Sequence, residues 1–113
     1  MGNIDHYKAL HTAFNDRNWS ALEAGLASGF TFVDNARGMT LTSPKAFVDW
    51  AKEWVAAFSN GKLDVAGNRY IEAGDAVFCL GTYSGTNDGS FGSYGSTGRK
   101  VTERFCEPLS CLE

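Results

Sequence analysis

Between Asp75 and Glu107 the sequence spells two long strands, Ala76–Thr86 and Lys100–Glu107, joined by a loop rich in glycine and serine. The stretch from Ala76 to Gly85 is β-branched, aromatic or apolar on both alternating faces, so neither face reads as solvated. On the return strand Val101, Glu103, Phe105 and Glu107 share one face, and Thr102, Arg104 and Cys106 the other. Two carboxylates therefore lie beside two apolar side chains. Gly74-Asp75 forms a tight-turn pair after a further strand, Lys62–Ala73, which is polar at Lys62, Asp64, Asn68 and Glu72 and apolar at Leu63, Val65 and Ile71, with Arg69 the exception on the apolar face. Three consecutive antiparallel strands result.

The segments before this meander are mostly helical. Ile4, Tyr7, Leu10, His11 and Phe14 fall at the spacing of a helix with one buried stripe, broken at Asn15–Asn18. Ser20-Ala21-Leu22-Glu23 reads as a capping box opening a short helix to about Ala27. Gly29 ends it, and Phe30–Asp34 follows as a strand with Phe30, Phe32 and Asp34 on one face. Asn35–Gly38 turns the chain into a short return strand, Met39–Leu41. Thr42-Ser43-Pro44 supplies an N-cap and a proline at the first helical position, after which Phe47, Trp50, Ala51, Trp54 and Phe58 keep helical period to Asn60-Gly61.

With 113 residues the chain suits a single domain, 1–113, with Leu112-Glu113 read as a tag scar. A net charge of −3 without a basic stripe argues against nucleic acid, and no apolar run approaches the ~20 residues of a membrane span. Cys79, Cys106 and Cys111 are odd in number and lack C-x-x-C spacing, which reads as reduced thiols in a cytoplasmic protein. Two histidines and no acidic pair at ligand spacing offer no metal site. The glycines from Gly85 to Gly98 precede no helix, so they make no phosphate loop and read as a mobile lid.

The groups left for chemistry are Glu107, Asp34 and Tyr83. Glu107 is either a desolvated cavity carboxylate or a solvated strand end before Pro108. Asp34 is either a base among Phe30 and Phe32 or the first residue of the Asn35–Gly38 turn. Tyr83 either donates to an enolate or caps the core with its hydroxyl in water. Glu103 reads as the partner of Arg69 or Arg104 in a sheet salt bridge. His11 reads as a core or rim histidine, and Phe32, Phe47, Trp50, Trp54, Cys79, Phe105 and His11 are expected to wall a ligand cavity.

Gly81-Thr82-Tyr83-Ser84-Gly85, followed by Ser96-Thr97-Gly98-Arg99-Lys100-Val101, is similar to the G-T-H-x-G and P-T-G-R-x-V signature of SnoaL-like polyketide cyclases. The order of elements over residues 3–107 also resembles the nuclear transport factor 2-like superfamily, to which those enzymes belong. The resemblance implies an α+β fold, a cone-shaped barrel with three helices from the N-terminal half packed on a curved antiparallel sheet. It also implies cofactor-independent acid/base chemistry on a small apolar carbonyl compound, with Glu107 at the position of the family's acidic residue. Tyr83 replaces the family's histidine, and the family's final strand pattern is missing after Pro108. Such a chain is expected either to close its sheet by pairing Phe30–Asp34 with Lys100–Glu107 or to form a homodimer. The alternatives to an isomerase or cyclase are a non-catalytic module that binds a hydrophobic metabolite and a dimerising scaffold.

Overall fold

The computed structural model describes residues 2–110. Cys111 and the Leu112-Glu113 tail lie outside the described residues. Three helices, α1 (Asn3–Asn15), α2 (Trp19–Ala24) and α3 (Pro44–Ala57), pack against antiparallel sheets, an α+β arrangement as the order of elements implied.

Helix α3 has the start that the sequence predicts. Ser43 caps it, accepting the Ala46 amide at 3.1 Å, and Pro44 occupies the first turn, where its missing amide costs nothing. Helix α2 starts differently. Its N-cap is Asn18, whose side chain accepts the Ala21 amide at 3.3 Å, so Ser20 lies inside the helix, and Gly25 rather than Gly29 ends it. Asparagine caps at least as well as serine, and being two residues earlier it wins the first turn. Helix α1 is tied to the first strand after α3 by both ends of an amide. Asn15 Nδ2 donates to the Leu63 carbonyl and Asn15 Oδ1 accepts the Leu63 amide, both at 2.8 Å, so one side chain imitates a neighbouring strand.

Strands β1 (Phe32–Asp34) and β2 (Met39–Leu41) form a hairpin of their own. The second sheet is built on β5 (Ala76–Thr86), which pairs along its whole length with β6 (Lys100–Ser110) on one side. On its other side two short strands lie end to end, β3 (Lys62–Leu63) opposite Tyr83–Ser84 and β4 (Arg69–Ala73) opposite Ala76–Leu80. The single strand expected over Lys62–Ala73 is thus broken by a turn, in which Asp64 Oδ1 accepts the Gly67 amide at 3.2 Å. The interruption reverses which residues face inward: Tyr70 is half-buried, while Ile71 and Arg69 are exposed. Gly74 takes φ = 60° as the first residue of the two-residue β4–β5 turn, a conformation that only glycine adopts without strain.

Strand β6 continues past Glu107 through Pro108, which lies opposite Phe78. Proline is tolerated there because among the described residues the outer edge of β6 carries no further strand. Direct pairing of Phe30–Asp34 with Lys100–Glu107 does not occur, since among the described residues β1 pairs with β2 and β6 with β5. The loop read as a mobile lid is anchored by Asn87. Its Nδ2 donates to the carbonyls of Ala57 and Gly89 at 3.0 Å, and its Oδ1 accepts the amide and hydroxyl of Thr97 at 2.9 Å.

Candidate functional site

A cavity of about 740 Å³ opens between the helices, the β1–β2 hairpin and the inner face of the β5–β6 sheet, within the range of small-molecule sites. One wall is aromatic. Phe32, Phe47, Trp50 and Trp54 succeed one another with ring centroids 5.0–6.1 Å apart, and Phe91, from the anchored loop, meets Trp54 edge-on at 4.7 Å. The Arg37 guanidinium lies 4.6 Å from the Phe91 centroid and pairs with Glu53 at 2.9 Å, which fixes the rim on that side.

The alternation of β6 sends Glu103, Phe105 and Glu107 to this cavity. Glu107 is the most elaborately held of the three. Its Oε1 accepts a short hydrogen bond from the hydroxyl of Tyr7, and His11 Nε2 approaches the same oxygen at 3.2 Å. The Tyr7 hydroxyl also lies 3.0 Å from the Glu107 main-chain oxygen, to which it can donate in a shared bond. Tyr7 and His11 are one turn apart on α1, so one helical face delivers both groups. Among the described residues no side chain bonds to Oε2. The carboxylate side chain retains 15% of its exposure, so it is buried but open to the cavity.

Behind His11 lies Tyr70, whose hydroxyl is 2.8 Å from Nδ1. Burial pushes the Tyr70 phenol up to about 12, with a hydrogen bond from Asn68 pulling the other way. Burial, and next the Glu107 charge, holds the Tyr7 phenol far above the usual tyrosine range. Cys79 is fully buried behind this cluster, its thiol pushed up to about 12 by burial and then by Glu107. It does not line the cavity, contrary to the expectation that placed it there.

Asp34 fills both of its alternatives. Its Oδ1 accepts the Arg37 amide at 3.2 Å, the turn role, and its Oδ2 accepts Trp50 Nε1 at 3.0 Å on the cavity wall. Glu103 sits exposed at the rim, and the protein around it, then the Asp34 carboxylate, raises its carboxyl above the ordinary value. The expected pairing of Glu103 with Arg69 or Arg104 is absent among the described residues. Arg69 lies opposite Leu80 and Arg104 opposite Thr82, on the outer face, whereas Glu103 lies opposite Tyr83 on the inner one. Tyr83 is buried among Phe14, Trp54 and Phe58, and its hydroxyl, 3.5 Å from the Trp54 carbonyl, is not the water-exposed cap that one alternative gave it. Burial pushes it up to about 12. A Cβ on Gly61 would stand 1.8 Å from that hydroxyl, so glycine there makes its room.

The structure thus brings Glu107, His11, Tyr83, Asp34 and Phe105 to one cavity with the aromatic wall of α3. Sequence reasoning missed Tyr7 and Tyr70 as polar partners of that cluster. Tyr7 was visible as a hydroxyl four residues before His11 on the same stripe; Tyr70 was hidden by the register change before β4. Among the described residues no three histidine, cysteine or acidic side chains gather as a metal site, and no helix is long and apolar enough to cross a membrane.

The sequence model described as SnoaL-like polyketide cyclase matches residues 4–112. No curated protein matches the sequence. Among solved structures, a hypothetical protein of Catenulispora acidiphila with a ketosteroid isomerase-like fold, solved in complex with trimethylamine, aligns at a TM-score of 0.75 and 23% identity, over 93% of this chain and 74% of that one. A Pseudomonas putida KT2440 protein provisionally named a polyketide cyclase aligns at 0.81 and 16%, over 97% and 82%. IdmH from Streptomyces antibioticus aligns at 0.76 and 16%, over 94% and 80%. At these identities the likeness is one of fold.

Proposed function

Because the chain belongs to the SnoaL-like polyketide cyclase family, we propose that it binds a small apolar carbonyl compound in the aromatic cavity and moves a proton beside that carbonyl with Glu107, without a cofactor. The observation that carries this reading is the asymmetry of the carboxylate: Oε1 faces Tyr7 and His11, and Oε2 has no partner among the described residues, in a cavity with aromatic walls. A base held by one oxygen keeps its other oxygen aimed and reactive.

Oε2 takes the proton from the carbon next to the carbonyl, and the C–H electron pair becomes the enolate. Glu107, now a carboxylic acid, returns the proton to another carbon in an isomerisation. In an aldol closure the enolate carbon attacks a second carbonyl, and the acid protonates the new alkoxide. Tyr83, neutral up to about pH 12, supplies an O–H donor for the enolate oxygen once its hydroxyl turns from the Trp54 carbonyl, 3.5 Å away, towards the cavity. Asp34, with both oxygens already bonded, shapes the wall and leaves the proton transfer to Glu107.

The test is α-proton exchange of 4-phenylbutan-2-one in heavy water, with binding followed by quenching of Trp50 and Trp54 fluorescence. Glu107→Gln keeps the shape and removes the base, so exchange should fall by about 100-fold or more while quenching persists. Exchange that survives Glu107→Gln refutes the mechanism, and binding without exchange in the parent leaves a ligand-binding module. The partner the outer sheet face fits is a second copy of the chain, because Ile71 and Leu80, each 40% exposed, lie there together with Phe78. A homodimer in the reducing cytoplasm, where Cys79 and Cys106 stay thiols, is the corresponding assembly, and sedimentation of a Leu80→Glu variant at micromolar concentration checks it.

A further inference from the structure

Tyr70 does not line the cavity, yet its hydroxyl is the other contact of the imidazole that touches Glu107. Resting on the reading of Glu107 as the base, we propose that Tyr70 is a positioning residue that locks His11 as its Nε2–H tautomer, so that the imidazole donates to Oε1 and leaves Oε2 free for the substrate.

The assignment follows from a chain of donors that starts at a main-chain amide. The Thr82 amide can only donate, and it points at Asn68 Oδ1 at 3.0 Å, so the carboxamide of Asn68 has its oxygen there. Its NH2 group then faces the Tyr70 hydroxyl, at 3.5 Å, and can only donate to it. The Tyr70 oxygen therefore accepts from Asn68 and directs its own proton elsewhere; of the two acceptors beside it, His11 Nδ1 at 2.8 Å and the sulfur of Cys79, the imidazole nitrogen is much the stronger and takes it. A nitrogen that accepts carries no proton, which places the imidazole proton on Nε2, facing Glu107 Oε1 at 3.2 Å. Gly81 permits the arrangement, since a Cβ there would lie 2.8 Å from Asn68 Nδ2. The titratable groups around the imidazole are Tyr7 on its own helix, Tyr70 on β4 and Glu107 on β6, with the Cys79 thiol of β5 and the Lys8 ammonium, 5.4 Å from the Tyr70 centroid, behind Tyr70.

The experiment is long-range proton–nitrogen correlation of the histidine rings at neutral pH, in the full chain, where His6 is the other histidine. The parent should show His11 with unprotonated Nδ1 and protonated Nε2. Tyr70→Phe keeps the ring and removes the donor, so the two tautomers should mix. Asn68→Asp turns a donor into an acceptor and draws the Tyr70 proton away, so the population should move to Nδ1–H. In the 4-phenylbutan-2-one exchange, Tyr70→Phe should lower kcat about tenfold with KM unchanged, the effect of one misdirected hydrogen bond. A parent with Nδ1–H, or variants that leave the tautomer unmoved, overturns the proposal. The nitrogen spectrum is read without turnover: the expected tautomer shifts in a protein that exchanges nothing support the lock and refute the catalytic reading, and Glu107-dependent exchange with an unmoved tautomer does the reverse.

Discussion

Removing a single oxygen, in Tyr7→Phe, tests how much of this fold depends on the cavity's polar cluster. Tyr7 is fully buried, and its ring meets His11 edge-on at 4.7 Å and Tyr70 at 5.5 Å, contacts that phenylalanine keeps. What is lost is the donor shared between Glu107 Oε1 and the Glu107 carbonyl. A hydrogen bond to a charged group contributes about 1.5–3 kcal/mol, and water entering from the cavity offsets part of it. At about 2.1 cal/mol/K per residue, the unfolding entropy of a chain this size is ~0.24 kcal/mol/K, so the full loss would lower the melting temperature by about 6–12 °C and the offset by water reduces that fall without abolishing it. Differential scanning calorimetry at neutral pH measures it, with Tyr94→Phe as the control, because Tyr94 is 78% exposed. A Tyr7→Phe melting temperature within ~2 °C of the parent would refute the claim that this hydroxyl holds α1 to β6.

Alkali should unfold the protein ahead of any acid effect from these groups. Burial holds Cys79, Tyr70 and Tyr83 at about 12 and Tyr7 higher, so in the folded chain all four keep protons that the unfolded chain loses from about pH 9–10 upward. Their contribution is complete below the unfolded values and is lost as pH rises towards the folded ones, at up to ~1.4 kcal/mol per group per pH unit, which urea titrations between pH 8 and 11.5 will show as a falling midpoint. Gly81→Ala should destabilise by about 1–3 kcal/mol and disturb the His11 tautomer, since its Cβ would meet Phe105 Cζ at 2.6 Å; a variant with unchanged stability and spectrum would show that the space is not needed.

The parts of the fold that were legible in the sequence were those with local signals. Ser43-Pro44 and the aromatic period of α3, the stripe of α1, and the alternation of β5 and β6 each state their own geometry. The failures have equally local causes. The Asp64–Asn68 turn holds itself with side-chain bonds and does not interrupt the run of apolar residues, so alternation counted through it puts Ile71 on the core face, whereas the strand after the turn buries Tyr70. Pro108 looked like a terminus because proline suits an edge, and it lies on one. The polar cluster was beyond any local pattern: Tyr7 and His11 meet Glu107 from about 100 residues away in sequence, a distance only the folded sheet closes.

A crystal structure of the Glu107→Gln variant with 4-phenylbutan-2-one bound decides whether Glu107 Oε2 is the reacting atom. The phenyl ring should lie among Phe32, Trp50 and Trp54, with the carbon next to the carbonyl within about 3–3.5 Å of the side-chain amide that replaces the carboxylate. A ketone seated at the rim beside Asp34 and Glu103, with that carbon out of reach of position 107, would contradict it.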